Sequence, residues 1–166
     1  IASLVETALV LAMIFLVIAG AAVFSRFLAL TGFTNVLVDV IVGSGLTVNQ
    51  FMIAIVLLYL LLGCFLDSTS MIVVTVPLLH PAIVAMGIEP VWFAIVAILA
   101  MHVGLITPPV GLNVYATQAV AQQDVTVEDV FYGSLPFLFV GLVALVISIA
   151  YPNLILALPN MLISGV

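Results

Sequence analysis

Long apolar runs, separated by short polar interruptions, account for most of this sequence. Residues 1–30 are almost continuously apolar, and two shorter apolar runs follow at 51–66 and 71–86. A helix that crosses a membrane needs about 20 apolar residues. The pattern therefore predicts one full span followed by two arms that are short for ordinary spans. The predicted segments are a first span at 1–30, a hairpin of two arms at 46–86, a broken helix at 91–121 and a last span at 134–163.

The composition indicates an integral membrane protein. Hydrophobic residues make up 67% of the 166 residues, charged residues make up 5%, and the mean hydropathy is +1.57. No water-soluble domain could cover that much apolar surface. We therefore expect a single all-α transmembrane domain over residues 1–166, in contact with membrane lipid. The chain begins at Ile1 without an initiating methionine, which leads us to expect one portion of a longer membrane protein.

The charged residues exclude one class of partner. A single basic residue, Arg26, stands against seven acidic ones, and the formal net charge is −6. Binding of nucleic acid needs a basic surface, so we expect no such partner. One arginine also cannot set the membrane orientation through the positive-inside rule. The single cysteine, Cys64, leaves no internal disulfide, and its apolar setting indicates a small packing residue.

The strongest interruption is the stretch from Gly104 to Asn113, which contains Pro108 and Pro109 in succession. Two prolines remove two backbone N–H groups and should break a helix. In lipid, such a break is tolerated only where protein, water or an ion satisfies the freed backbone groups. Broken helices at membrane depth form binding sites in transporters, which makes this stretch a candidate site. The alternative is a plain loop between two ordinary spans.

A second polar interruption, from Gly63 to Ser70, joins the two short arms. Such arms favour a re-entrant hairpin whose tip lies inside the membrane. Asp67 or Ser68 would cap the second arm. Within that arm, Pro77 and Pro81 predict a kink or an early end. The alternative is two short spans joined by an aqueous loop.

Both interruptions offer hydroxyl, amide or carboxylate oxygens together with freed carbonyls. Oxygen ligands of this kind coordinate hard cations such as sodium, and helix N-termini that face the same point would suit an anionic substrate. His102 lies about one turn before Thr107 and could face the same cavity, which leaves proton coupling through Asp67 and His102 as an alternative. We expect no enzyme, because an intramembrane aspartyl hydrolase would need a second deep aspartate and no nucleophile motif is present.

Several local signals predict where helices begin and end. Residues 35–42 suit a short helix near the interface, and Thr47 with Gln50 forms a capping box. Trp92 follows a turn, as an interfacial aromatic anchor does. Pro109 suits the first turn of a second half-helix that begins at Val110. Thr126 would cap a short helix, with Gly133 and Pro136 leading into the last span near Leu135 and a short interfacial tail after it.

The order and spacing of these features resemble the large membrane subunit of the tripartite ATP-independent periplasmic (TRAP) transporters. The run Gly104-Leu105-Ile106-Thr107-Pro108-Pro109-Val110-Gly111 carries the likeness most specifically. Gly63 with Asp67, the prolines at 77 and 81, and the turn from Met86 to Pro90 match in order, and Phe24-Ser25-Arg26 and Leu135-Pro136-Phe137 are also similar.

This resemblance implies an elevator-type secondary transporter with inverted repeats in the bacterial or archaeal inner membrane. The chain would be the C-terminal repeat, working with an N-terminal repeat, a small membrane subunit and a periplasmic binding protein that delivers an anionic solute such as a carboxylate or sialic acid. Sodium would be the coupling ion. The residues implied for sodium are Gly63, Asp67, Ser68, Thr69, Ser70, Gly104, Thr107, Pro108 and Gly111, and those implied for substrate are Thr107, Pro108 and Asn113. The rival from another class is a non-transporting membrane scaffold subunit.

Overall fold

A computed structural model describes residues 2–121 and 124–163 of the chain. Within these residues the secondary structure is entirely helical, so the all-α prediction is confirmed for the described part of the chain. The first and last positions of the predicted domain, residues 1 and 166, lie outside the described residues. The helices are α1 (Ala2–Leu30), α2 (Phe33–Gly43), α3 (Val48–Gly63), α4 (Ser68–Ala85), α5 (Pro90–Leu105), α6 (Leu112–Val120), α7 (Val127–Ala150) and α8 (Pro152–Ile163).

The core is formed mainly by α3, α4 and α5, with α7 packed along α5. The C-terminal ends of α3 and α5 meet at Gly63 and Gly104, so these two helices run side by side in the same direction. The helix α7 runs the opposite way, because Gly141 lies against Val103 and the far end of α7 lies against Trp92. The helices α1 and α2 pack on α4, at the edge of this core.

One buried hydrogen-bond chain joins the two arms of the predicted hairpin. The Thr75 hydroxyl donates to the Met71 carbonyl at 2.6 Å, and its oxygen lies 2.7 Å from the hydroxyl oxygen of Tyr59. Thr75 has only one hydroxyl proton, so Tyr59 must be the donor in the second bond. Tyr59 is fully buried, and its bond therefore satisfies a polar group that would otherwise be costly in the core.

The capping signals in the sequence are confirmed by the structure. Thr47 forms a capping box with Gln50 at the start of α3, and Asp67 caps α4 by accepting the backbone N–H of Ser70. Thr126 caps α7 in a capping box with Asp129. These caps supply acceptors for N–H groups that the first turn of a helix leaves unpaired. The short helix expected at 35–42 is also present, as α2.

Three boundary predictions are wrong. The helix α7 begins at Val127 and continues through Pro136, because one proline removes one hydrogen bond from a long helix whose start is well capped. For the same reason α4 does not end early at Pro77 or Pro81, whereas the alternative of a kink at these residues stays a prediction. The tail after residue 151 is a further helix, α8, which packs on α5 and α7.

Trp92 is not the interfacial anchor that its position after a turn suggested. Its side chain is buried, and its Nε1–H donates to the Ser148 carbonyl at 2.8 Å. The residue four positions after Ser148 is Pro152, which has no backbone N–H to offer that carbonyl. The indole therefore replaces a missing helical donor and ties α5 to the end of α7.

Among the described residues, three helices are long and apolar enough to cross a membrane by length and composition: Ser3–Leu30, Ser68–Ala85 and Val127–Ala150. The 16-residue helices α3 and α5 are shorter than this. The first of the three long helices lies within residues 1–30, where the membrane span stays a prediction. Together with the composition, these helices show a membrane protein.

Candidate functional site

The two polar interruptions meet where the ends of α3 and α5 cross. A Cβ atom built on Gly63 would lie 2.9 Å from the Gly104 Cα, and one built on Gly104 would lie 2.9 Å from both the Gly63 Cα and the Leu60 carbonyl oxygen. Carbon atoms in ordinary contact are about 3.5–4.0 Å apart. Only glycine at both positions permits this backbone contact, which we call the glycine crossing (Gly63 and Gly104).

The prolines after α5 leave backbone carbonyls without their helical donors. Pro108 and Pro109 lack the N–H groups that would bond the carbonyls of Gly104 and Leu105. The Gly104 carbonyl is still bonded, because the Thr107 N–H reaches it at 3.0 Å in a tighter turn. The Leu105 carbonyl accepts no hydrogen bond from the described residues. Leu105 itself is buried, so this carbonyl is a candidate ligand for an ion or a water molecule.

The end of α3 has the same property. The next two N–H groups after Cys64, those of Phe65 and Leu66, both turn back to the Leu62 carbonyl. The carbonyl of Gly63 is left without a donor among the residues that the structure describes, and Gly63 is buried. Each side of the glycine crossing therefore carries at least one buried residue with an unbonded carbonyl.

A contact between the two connecting segments links the interruptions directly. The Cys64 thiol lies 3.3 Å from the Leu60 carbonyl and 3.7 Å from the Pro108 carbonyl, measured from its sulfur. Cys64 is buried, as its interpretation as a packing residue predicted. Sequence reasoning did not place it at the junction of the two interruptions, because residues 64 and 108 are far apart in the chain.

The predicted cation ligands at the hairpin tip already have local hydrogen-bond roles. One carboxylate oxygen of Asp67 accepts the Ser70 N–H at 2.9 Å, and the other accepts the Ser70 hydroxyl at 2.5 Å. Ser68 and Ser70 are partly buried, whereas Asp67 and Thr69 are exposed. The side chains of Asp67 and Ser70 therefore bond each other, and no hydrogen bond among the described residues joins either to the break after α5.

Thr107 lies within that break and keeps acceptor capacity. Its hydroxyl donates to the Val103 carbonyl at 2.6 Å, which leaves the lone pairs of its oxygen unused. Pro108 follows in the exposed part of the break. A cation that approached Thr107 would meet a hydroxyl oxygen whose proton already points away.

The second half-helix starts later than predicted. Gly111, not Pro109, marks its start, because Gly111 is the N-cap of α6 in a left-handed conformation with φ 60°. Glycine adopts such a conformation without steric cost, and regular helix can begin only after it. Gly111 offers no side chain as a cap, so the first N–H groups of α6, those of Leu112 and Asn113, are available to a ligand. Asn113 is exposed beside them.

A cavity that the sequence did not indicate adjoins the break. It has a volume of about 400 Å³ and lies between Pro108 and the first half of α7, where Glu128, Tyr132 and Ser134 line it. The carboxylate of Glu128 gives this cavity the wrong charge for an anion. None of these three residues was a candidate from sequence, because their contact with the break depends on the packing of α6 and α7.

His102 is not part of the glycine crossing. Its side chain is exposed, and its Nδ1 lies 2.7 Å from the Ile98 carbonyl of its own helix. Among the described residues, no three His, Cys, Asp or Glu side chains lie close enough together to hold a metal ion.

The helix ends give the junction a distinct electrostatic character. The helices α3 and α5 bring their C-terminal ends to the glycine crossing, and a helix C-terminus carries partial negative charge. The helices α4 and α6 begin from the two connecting segments, and a helix N-terminus carries partial positive charge. One small region thus offers carbonyl oxygens to a cation and N–H groups to an anion.

Comparisons with known proteins point to one family. The sequence matches the family described as tripartite ATP-independent periplasmic transporter, DctM component, over residues 1–154. No solved structure matches the chain.

Named relatives cover almost all of the chain. A C4-dicarboxylate TRAP transporter large permease protein DctM of Rhodobacter capsulatus is 34% identical over 159 residues, which are 96% of this chain and 36% of that protein. A sialic acid TRAP transporter large permease protein SiaM of Vibrio cholerae is 31% identical over 94% of the chain and 36% of its own length.

An ectoine TRAP transporter large permease protein TeaC of Halomonas elongata is 26% identical over 94% of the chain and 36% of its own length. The chain thus spans about a third of the length of the relatives it matches. The family match covers more than nine-tenths of the sequence, so this chain belongs to the DctM component family of TRAP transporters, whose named members are permeases rather than enzymes.

Proposed function

We propose that this chain forms the C-terminal part of a permease that uses a sodium gradient to take up an anionic solute. The carrying observation is the glycine crossing, where two buried residues present unbonded carbonyls between two helix C-termini. Sodium is a hard cation that binds oxygen ligands, and unwound carbonyls with helix C-termini hold such ions in secondary transporters. The chain alone is about a third of its relatives' length, so transport requires the rest of the permease.

The sodium ligands come from both interruptions. The carbonyls of Gly63 and Leu105 and the Thr107 hydroxyl would coordinate the ion, and Gly104, Pro108 and Gly111 would shape the backbone around it. Asp67 would lower the free energy of the bound cation through its negative charge. The hydroxyls of Ser68, Thr69 and Ser70 would add oxygen ligands at the hairpin tip once the complete permease closes around it.

The position of the tip supports a re-entrant hairpin. Ser70, in the first turn of α4, lines a cavity with Val17 and Gly20 of α1. Both α1 residues lie within about 6 Å, along the axis, of the midpoint of that 29-residue helix. If α1 crosses the membrane, the tip lies near mid-depth. An aqueous loop between two ordinary spans would instead lie level with one end of α1.

The start of α6 favours an anionic solute. Its first N–H groups have no side-chain cap, and Thr107, Pro108 and Asn113 lie beside them. Free N–H groups and a positive dipole end bind carboxylates. The solutes named for the relatives above, a C4-dicarboxylate, sialic acid and ectoine, all carry a carboxylate group. We assign the solute to this helix end rather than to the cavity beside Glu128, whose charge would repel it.

The other components of the transport complex are inferred from the family. An N-terminal repeat would complete the solute site, a small membrane subunit would form a scaffold, and a periplasmic binding protein would deliver the solute to the inner membrane. The domain that carries sodium and solute would move across the membrane by an elevator-type motion. Sodium and solute would be coupled by linkage: an ion that orders the tip and the break raises the affinity for solute, and the solute raises the affinity for sodium equally.

Uptake into proteoliposomes that contain the complete membrane complex tests this proposal. A panel of radiolabelled carboxylates and sialic acid is offered with the binding protein, and the sodium concentration for half-maximal uptake is measured. Thr107→Ala should raise that concentration by about tenfold, equivalent to ~1.4 kcal/mol for a lost ligand. Thr107→Ser keeps the hydroxyl and is the matched control.

A further variant separates the capping role of Asp67 from its charge. Asparagine is as good an N-cap as aspartate, so Asp67→Asn should keep the fold of α4 while weakening the sodium dependence. Unchanged sodium dependence in both Thr107→Ala and Asp67→Asn would overturn the assignment. Uptake driven by a pH gradient alone would transfer the coupling role to Asp67 and His102, and no solute uptake by a folded complex would leave the scaffold function.

A further inference from the structure

Arg26, the only basic residue in the sequence, has no partner in the described part of the chain. It lies on α1 four residues before that helix ends, and it forms no ion pair or hydrogen bond there. Its neighbours on α1 are almost all apolar. A guanidinium carries five N–H donors and cannot lose its charge, so in a membrane helix it reaches for an anion at the interface.

A groove between α1 and α4 begins at this residue. It has a volume of about 520 Å³, and its walls are apolar apart from Arg26 and Ser25. The small side chains of Ala21, Ala22 and Ala29 open its α1 wall. A second groove of about 450 Å³ on α1 is also bordered by Ala22 and Arg26. The two grooves share Ala22 and Arg26, so two acyl chains can extend from one anionic head group at this cation.

We propose that this groove binds one anionic phospholipid of the phosphatidylglycerol type. Its phosphate lies on the Arg26 guanidinium near the end of α1, and one acyl chain lies between α1 and α4. Charge complementarity selects the position, because Arg26 is the one basic residue against seven acidic residues, which disfavour anions elsewhere on the chain. The inference needs only the membrane location and is independent of sodium coupling.

Native mass spectrometry of the complete permease, titrated with phosphatidylglycerol or phosphatidylethanolamine, tests the site. We expect Arg26→Gln to weaken phosphatidylglycerol binding by about tenfold and phosphatidylethanolamine binding much less, whereas Arg26→Lys keeps most of the preference. Ala22→Leu should fill both grooves and reduce binding of both lipids. Ala8→Leu, on the same helix but away from the grooves, is its matched control.

Three outcomes would overturn the proposal. The first is equal phosphatidylglycerol affinity in wild type and Arg26→Gln. The second is displacement of the bound lipid by millimolar inorganic phosphate, which would show a site for a free anion. The third is an Arg26→Gln permease that loses thermal stability with its lipid stoichiometry unchanged, which would show that Arg26 pairs with a carboxylate elsewhere in the permease.

Discussion

Replacing Gly63 by alanine tests the glycine crossing with a single methyl group. The added Cβ would lie 2.9 Å from the Gly104 Cα, 3.0 Å from the Met101 carbonyl oxygen and 3.1 Å from the Gly104 carbonyl carbon. All three atoms belong to the backbone, so no side-chain rotation can relieve the overlap. The ends of α3 and α5 must part by roughly 0.6 Å or more to restore carbon–carbon contact distances.

The size of the effect follows from two opposing terms. Overpacking a well-packed interior costs about 1–3 kcal/mol. Alanine regains up to about 1 kcal/mol of helix propensity over glycine, and less than that at the last residue of a helix such as α3. We therefore expect a net loss of about 1–2 kcal/mol, roughly five- to thirtyfold in the folding equilibrium. Gly104→Ala should lose a similar amount of stability. The double variant should lose less than the sum, because helices already parted for one methyl group accommodate the second more cheaply.

Thermal unfolding of the purified complete permease and its sodium-dependent uptake measure this prediction. Gly133→Ala is the matched control, because it adds the same methyl group in mid-helix where nothing lies within 4 Å of the new Cβ. We expect Gly63→Ala to lower both stability and sodium affinity and Gly133→Ala to lower neither. A Gly63→Ala permease as stable and as active as Gly133→Ala would show that the close contact is not required.

Two buried hydrogen bonds give further predictions. Tyr59→Phe should cost about 0.5–1.5 kcal/mol of unfolding free energy, whereas Thr75→Val, which leaves the buried Tyr59 hydroxyl without a partner, should cost about 1–3 kcal/mol. Thermal unfolding of the two variants measures which loss is larger. A larger loss in Tyr59→Phe would contradict the assignment of Tyr59 as the donor. Trp92→Phe should destabilise by about 1–3 kcal/mol because the Ser148 carbonyl loses its donor. In a Pro152→Ala background that loss should shrink, because residue 152 then offers its own N–H. A double-mutant cycle with no coupling would refute this account.

The positions of the two interruptions were predictable because they depend on local chemistry. Consecutive prolines stop a helix regardless of its surroundings, and Asp67 and Thr126 cap helices through residues only three positions away. The same locality explains the three capping predictions that the structure confirms. A proline within a long, well-capped run is different: Pro136 weakens α7 by one bond, and packing along α5 holds the helix together.

Predictions that depended on distant partners were less successful. Trp92 follows a turn, which predicted an interfacial anchor. Its hydrogen-bond partner, the Ser148 carbonyl, lies 56 residues away and needs a donor because Pro152 has no N–H. Similarly, the cavity beside Glu128 and the Cys64 contact with Pro108 arise from packing between helices. Periodicity and composition describe one segment at a time and contain no information on which segments meet.

The candidate site combines both kinds of information. Local sequence determines that the Leu105 carbonyl is unbonded, because two prolines follow α5. It also determines that the Gly63 carbonyl is unbonded, because the chain turns tightly after α3. Whether the two carbonyls can serve one ion depends on how closely α3 and α5 approach, and that distance is set by the absence of a side chain at Gly63 and Gly104. An alanine at either position would leave both helix breaks intact, with the same unbonded carbonyls and the same helix caps. It would, however, move the ends of α3 and α5 apart and so separate the two carbonyls. A sodium site that fails in Gly63→Ala while both breaks persist would therefore show that the ion is bound by the crossing of the two helices and not by either break alone.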